Sequence, residues 1–300
     1  MSDDRAVQYI AGVPLVKKPT AILLLSCPDQ KGIVAAISNF IFQHRGNILY
    51  AQQHTAQPEN MLFMRIEWDL EHFTIPRGEI RQAFLSLADR FSMKWDIRFS
   101  DYVPRIAIFV SRHIHCFHDL ILRHRMGELQ ADISLVISNH TDLQETAEQY
   151  ALKFMHIPIT AENKMAQEEK EIEVLREHNI DLIVLARYMQ ILSGSMVDLY
   201  RNRIINIHHS FLPAFAGGRP YQHAYERGVK IIGATSHYVT EELDEGPIIA
   251  QDVIRITHRD SVTDMVLKGK DIERTVLAQA VRRHLENKIL VYGSKTIVFD

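Results

Sequence analysis

The sequence predicts a two-part α/β protein: an α+β module of βαββαβ order, then a larger α/β domain with a mostly parallel sheet. Three observations predict it. Residues 20 to 100 run strand, helix, strand, strand, helix, strand. From residue 104 near-continuous aliphatic runs alternate with helical segments. After residue 230 two apolar strands flank a turn-rich connector. The length agrees, because 300 residues exceed one typical core and fit two domains of unequal size. The expected division, near Ser100 to Pro104, gives domains 1–100 and 101–300.

In the first domain TAILLLS is an apolar strand broken by Pro28. Ile33, Ile37, Phe40, Ile41 and His44 follow at a spacing that makes one helical face. GNILYAQQHT and MLFMRIEWDL are strands joined by AQPEN, a hairpin connection. Ile80, Phe84, Leu87, Ala88 and Phe91 mark a second amphipathic helix. In MKWDIRFS, Met93, Trp95, Ile97 and Phe99 alternate with polar residues, which is a strand with one face in a core. This order implies helices on one face of an antiparallel sheet.

In the second domain RIAIFV, DISLVIS, MHIPI, IDLIVLA and RIINI suit parallel strands covered on both faces. EEKEIEVLREHN is the clearest helix between them, and its charges around Glu168 to Arg176 read as a solvated face. IIGATSHYV and PIIAQDVIRI, separated by TEELDEG, read as an antiparallel pair. A long helix from about Ser261 to Asn287 and a hairpin of ILVY and TIVF close the chain.

Composition narrows the functional classes. The net charge of -3 carries no basic excess that would point to nucleic acid. No apolar run reaches the length that spans a bilayer, and the acidic N-terminal stretch lacks the apolar core of a signal peptide. The only cysteines, Cys27 and Cys116, stand far apart, so a reducing cytoplasm is expected.

INIHHSFLPAFAGGRP is where chemistry concentrates. Ligands of open α/β sheets bind beyond the carboxyl ends of the strands, and IINI runs into that edge. Asn206 and His208, two apart, share a face while the strand lasts, and an amide with an imidazole can bind an oxygen gaining negative charge. The plainer reading is a capping Asn and a hydrogen-bonded His at a strand end. His209, one residue out of register, should face away from His208. Asp244 lies in a tight Asp-Glu-Gly-Pro turn. It is a turn residue, or, if its loop folds over the crevice, a partner that favours protonated His208 and orders a water. Phe215 to Gly218 reads equally as a lid or a connector.

N-I-H-x-S-x-L-P, carried by Asn206, His208, Ser210, Leu212 and Pro213, resembles the folate-dependent formyltransferase and hydrolase family. So does G-x-T-x-H-x-V-x-E-x-L-D-x-G-P, which spans Gly233 to Pro247 and includes Thr235, His237 and Asp244. The resemblance covers roughly residues 104 to 285 and implies a Rossmann-like domain. It also implies that Asn206, His208 and Asp244 act on a formyl group carried by N10 of tetrahydrofolate. Gln190, Leu192, Val197, Thr240 and Leu243 are then the folate-facing positions, although Leu192 and Val197 read equally well as core.

The transferases of that family hold a phosphate acceptor on a glycine-rich turn. Here no glycine occurs between Val110 and Leu120, and Arg112, His113, Ile114 and His115 stand in its place, which leaves water as the simplest nucleophile. Residues 20 to 100, opening with CPDQKGIVAAIS, resemble an ACT domain of ferredoxin-like fold. The joined pattern resembles the formyltetrahydrofolate deformylase family. It implies hydrolysis of the folate substrate to formate and tetrahydrofolate with no cofactor, no metal and no membrane or nucleic-acid partner. A small amino-acid effector at Asp29, Gly32 and Ile33 and a homo-oligomer are expected, with Asp29 as a plain helix cap the alternative at the first. In the expected mechanism Asp244 orders the water and takes its proton, directly or through His208, while Asn206 and protonated His208 hold the oxyanion.

Three rivals remain at this level. A metal site could draw on His113, His115, His118 and His124, or on His208, His209 and Asp244. The others are a transferase acting on an amine without a phosphate loop, and a non-catalytic folate sensor.

Overall fold

The structure, a computed structural model, describes residues 18–213 and 221–300 and, as backbone alone, residues 9–10, 13–14 and 220. The Phe215 to Gly218 loop lies outside the described residues. The chain forms two compact units. One runs to Tyr102 and takes in Glu286–Leu290 and Phe299–Asp300; the other comprises Val103–Leu285 and Val291–Val298.

In the first unit a short antiparallel pair, β1 (Tyr9–Ile10) and β2 (Val13–Pro14), precedes the main sheet. Then come β3 (Thr20–Pro28), α1 (Ile33–Gln43), β4 (Ile48–Ala56), β5 (Met61–Asp69), α2 (Ile80–Arg90) and β6 (Lys94–Phe99), the βαββαβ order read from the sequence. The four main strands form an antiparallel sheet of order β4-β5-β3-β6. Alternate residues of β3, namely Ala21, Leu23, Leu25 and Cys27, meet Ile33, Ile37 and Ile41 of α1 and Ile80, Phe84 and Ala88 of α2 in one core. The two periods, 2 in the strand and 3.6 in the helices, put these side chains on facing surfaces. On the other face the buried Arg65 guanidinium donates to the carbonyl of Asn287 at 3.0 Å, so the C-terminal residues of this unit pack here.

The second unit contains β7 (Arg105–Val110), α3 (His115–Arg125), β8 (Asp132–Ser138), α4 (Gln144–Gln149), β9 (Phe154–His156), α5 (Lys164–Glu177) and β10 (Leu182–Ala186). It continues with α6 (Gly194–Leu199), β11 (Ile204–His208), α7 (Pro220–Arg227), β12 (Ile231–Tyr238), β13 (Ile248–Arg255) and α8 (Val262–Leu285). The sheet order is β13-β12-β11-β10-β7-β8-β9. From β9 to β11 neighbours are parallel; β11/β12 and β12/β13 are antiparallel. β7 and β10 are buried along almost their whole length, which is why they read as aliphatic runs. The chain steps outward from β7 through β8 to β9, then returns to β10 on the other side of β7. That reversal opens a crevice at the carboxyl ends of the strands. α8 packs across β11, β12 and β13 and against α3 and α7. β14 (Ile289–Tyr292) and β15 (Lys295–Val298) pair as the closing two-stranded sheet.

Two local expectations are corrected. The charged helix α5 is not a wholly solvated face, because Glu168 and Glu171 are buried under the loop that follows β10. Asp29 does not cap α1: the cap position is Gly32, at φ 95°, and no side chain bonds to it. A left-handed backbone at that position favours glycine.

Candidate active site

β11 and β12 run antiparallel with Asn206 directly opposite His237 and His208 opposite Thr235. Directly opposed residues point to the same face, so the three groups Asn206, His208 and His237 stand together where β11 meets the crevice. In the β12/β13 pairing the register shifts between Ser236 and His237, and such an irregularity re-aims the following side chain. His237 Nδ1–H donates to the Tyr238 carbonyl at 2.9 Å, which leaves Nε2 facing the Asn206 amide nitrogen at 3.3 Å. His237 belongs to the sequence motif but is not among the expected site residues. Its signal is the β11/β12 register, which joins positions 31 residues apart.

Thr235, His208's partner across the strands, is structural. Its Oγ1 donates to the Ser210 carbonyl at 2.9 Å, accepts from the Leu212 N–H at 3.0 Å and accepts from Gln251 Nε2 at 2.9 Å. The motif residues Ser210, Leu212 and Thr235 therefore anchor the loop that leaves β11.

Asp244 closes the site. The turn that carries it has Asp244 at φ 59°, a left-handed conformation that aspartate tolerates better than most residues. At Gly246 a Cβ would lie 1.7 Å from the Tyr238 carbonyl oxygen, so only glycine lets the turn lie this close to β12. The loop thereby folds back over the crevice. Asp244 Oδ2 sits 3.1 Å from His208 Nδ1 and Oδ1 3.6 Å from His237 Nε2. The hydrogen bond from His208, and after it His237, hold the Asp244 carboxyl well below the usual carboxylate range despite partial burial. His208 Nε2 is buried and has no hydrogen-bond partner. Leaving such a group unsatisfied costs about 1–3 kcal/mol, so it is the ring atom placed to meet a ligand or a water.

These groups line a cavity of 410 Å³, a typical size for a small-molecule site. Of the five expected folate-facing residues, Gln190, Leu192, Thr240 and Leu243 line it; Val197 does not, and packs into the core beneath. Met189 and Ile191, not singled out from the sequence, also line it and are 57% exposed; Leu243 is 63% exposed. Exposed apolar side chains at a cavity mouth offer a surface to a flat ring. Asp29, Gly32 and Ile33 belong to the first unit; Asp29 and Gly32 are exposed, while Ile33 is core and offers only its backbone.

His209 does not turn away: its ring lies 5.2 Å from that of His208. Burial first, then the charges of Arg187 and His208, push it down to about 4. It therefore adds no positive charge near neutrality. A second network lies beside it. Glu273 of α8 bonds His115 Nε2 at 2.7 Å and the Tyr221 hydroxyl at 2.8 Å, with Arg187 Nε at 3.5 Å. The four histidines of RHIHCFHDLILRH do not converge. His118 meets Tyr150, His124 meets the Ala131 carbonyl and His115 meets Glu273. Among the described residues one group, His115, Cys116 and Glu273, brings metal-ligand atoms within 4.8 Å of one another. Burial pushes the Cys116 thiol far up, away from the thiolate a metal needs. A smaller cavity of 310 Å³ is lined by Ser111, Arg112, His113, Asn139 and Gln190.

Comparison with known proteins finds relatives along nearly the whole chain. Residues 104–281 match the Formyl transferase family and residues 21–89 the ACT domain family. The formyltetrahydrofolate deformylase of Synechocystis sp. is 54% identical over 93% of this chain and 98% of its own. That of Bacillus subtilis is 49% identical over 93% of each. The crystal structure of a formyltetrahydrofolate deformylase from Pseudomonas syringae superposes with a TM-score of 0.93 at 44% identity, covering 95% of this chain and 96% of the other.

Proposed function

The chain belongs to the formyl transferase family, and from that premise we propose that Asn206, His208 and Asp244 are its catalytic residues. The enzyme hydrolyses 10-formyltetrahydrofolate to formate and tetrahydrofolate. The observation that carries the residue assignment is the pairing of Asp244 with His208 Nδ1, which leaves His208 Nε2 unpartnered at the cavity wall.

With Nδ1 held by the carboxylate, Nε2 is the atom that meets substrate. Water attacks the formyl carbon and gives its proton to Nε2, and Asp244 stabilises the imidazolium that forms. The Asn206 amide and the new Nε2–H hold the oxyanion of the tetrahedral intermediate. The C–N10 bond then breaks as Nε2–H returns the proton to N10, so formate and tetrahydrofolate leave. Gln190, Leu192, Thr240 and Leu243, with Met189 and Ile191, form the pterin wall.

The 1–100 and 101–300 division is regulatory and catalytic in this reading, and the amino-acid effector binds at the start of α1. Support comes from Gly32: no side chain occupies the cap and no acidic residue sits in the first turn, so the free N–H groups there can take a carboxylate. The exposed edge strands β4 and β6 suit pairing between copies in a homo-oligomer. Two free buried cysteines, Cys27 and Cys116, suit a cytoplasmic setting.

The test is to supply 10-formyltetrahydrofolate alone, follow formate, and then add single amino acids. Formate release without any amine, lost in Asn206→Ala and Asp244→Ala, is the expected result. Near-wild-type rates in both variants would end the residue assignment.

A further inference from the structure

Helix α5 buries two carboxyl groups three residues apart, Glu168 at 6% and Glu171 at 1% exposure. That spacing puts both on one face of the helix. Burying a carboxyl without a cation is costly, and a helix that only needed packing would carry leucine there. Both groups are instead spent on one loop. The Tyr188 hydroxyl donates to Glu171 Oε1 at 2.8 Å, and the Ser193 backbone N–H donates to Glu168 Oε1 at 2.6 Å. Tyr188 is buried and packs edge-on against Phe109, ring centroids 5.1 Å apart. Ser193 in turn caps α6, its Oγ accepting from the Met196 N–H. Between these two anchors lie Met189, Gln190, Ile191 and Leu192, all four on the cavity wall.

We propose that Glu168 and Glu171 are positioning residues that clamp the 189–192 wall at both ends, and that Glu171 makes folate affinity depend on pH. The proposal rests on the reading that this wall meets the pterin. Tyr188 and Glu168 are the titratable groups that face Glu171 among the described residues; no cation does. Burial pushes Glu171 up to about 7, against the pull of the Tyr188 hydrogen bond and with added repulsion from Glu168. As pH rises from the free carboxyl value of 4.5 to about 7, the closed loop is progressively disfavoured, because it keeps Glu171 neutral beside Tyr188 while an open loop lets the carboxyl ionise in water; above about 7 the loss is complete. The groups that bond to reacting atoms lie on β11 and in the Asp244 turn, so the effect falls on KM rather than kcat.

The experiment is steady-state hydrolysis of 10-formyltetrahydrofolate from pH 6 to 8.5 by the full chain and four variants. In the wild type KM rises severalfold from pH 6 to a little above 7 and then levels off. Glu171→Gln keeps the Tyr188 bond through its amide oxygen and holds the low-pH KM throughout. Tyr188→Phe and Glu168→Ala raise KM about tenfold at every pH with kcat little changed, the size expected for losing one buried hydrogen bond. Leu192→Ala tests the premise separately: an unchanged KM there means the wall does not meet folate. If Leu192→Ala raises KM while Glu171→Gln follows the wild-type pH profile, the clamp is refuted. The same holds if Tyr188→Phe lowers kcat and leaves KM alone. Glu171→Gln is isosteric, so its profile decides even if a bulkier change fails to fold.

Discussion

Asp244 is the residue on which the proposed chemistry turns, and its backbone shows how it is placed. A left-handed aspartate aims its carboxylate back at two imidazoles 3.1 and 3.6 Å away. Asp244→Asn keeps the shape and removes the charge that supports the imidazolium; formate release should fall by roughly 10²–10⁴. Asn206→Ala removes one oxyanion donor and should cost about 10²–10³ in kcat. Because the Asp244 carboxyl is held low, its stabilising contribution is present above the unfolded value of about 4 and is lost as pH falls through the lower folded value. An acid limb in the rate above pH 4 therefore belongs to another group, and the pH–rate profile of Asp244→Glu checks this. The shared face of Asn206 and His208 and the turn at Asp244 were legible because a strand period and a turn signature are local, whereas their union as one site came from the family resemblance. His237 as a site residue and the approach of His209 to His208 were not, since both depend on register and on where the strand ends.

At the scale of elements, the Asp244 turn and α5 carry the same lesson from opposite sides. The turn was legible as Asp-Glu-Gly-Pro, but its folding over the crevice is decided by a close approach of Gly246 to β12. Gly246→Ala should push the turn off Tyr238, lower activity at least as much as Asp244→Asn, and also lower the melting temperature. Activity and melting measured together separate the two effects. α5 looked solvated because charge pattern shows which residues share a face but not what covers that face. A loop from β10 covers Glu168 and Glu171. A carboxyl whose folded value is raised, as for Glu171, stabilises less as pH climbs from its unfolded value of 4.5 to about 7, then no further. At 1.36 kcal/mol per unit the loss is on the order of 3 kcal/mol. Glu171→Gln should melt higher than the wild type at pH 8 and show less difference at pH 5, by calorimetry.

At the scale of the whole molecule, the two-part architecture and the succession of elements along each part were legible from period and run length. The assignment of the last residues was not. Glu286–Leu290 and Phe299–Asp300 join the first unit, because Arg65 on β5 recruits the Asn287 carbonyl, and a single arginine in a strand does not announce a partner 222 residues away. An amino acid that occupies the start of α1 should change the rate of formate release, and Gly32→Val should abolish that response by filling the cradle and straining a left-handed backbone. Assaying formate against each amino acid, in wild type and variant, checks it.

The reaction itself is tested most directly by counting products in an amine-free buffer with 10-formyltetrahydrofolate as the only substrate. One formate should appear for each tetrahydrofolate, at a rate that collapses in Asp244→Asn. Tetrahydrofolate formed without formate, or no turnover until an amine is added, would contradict the claim that solvent is the acceptor.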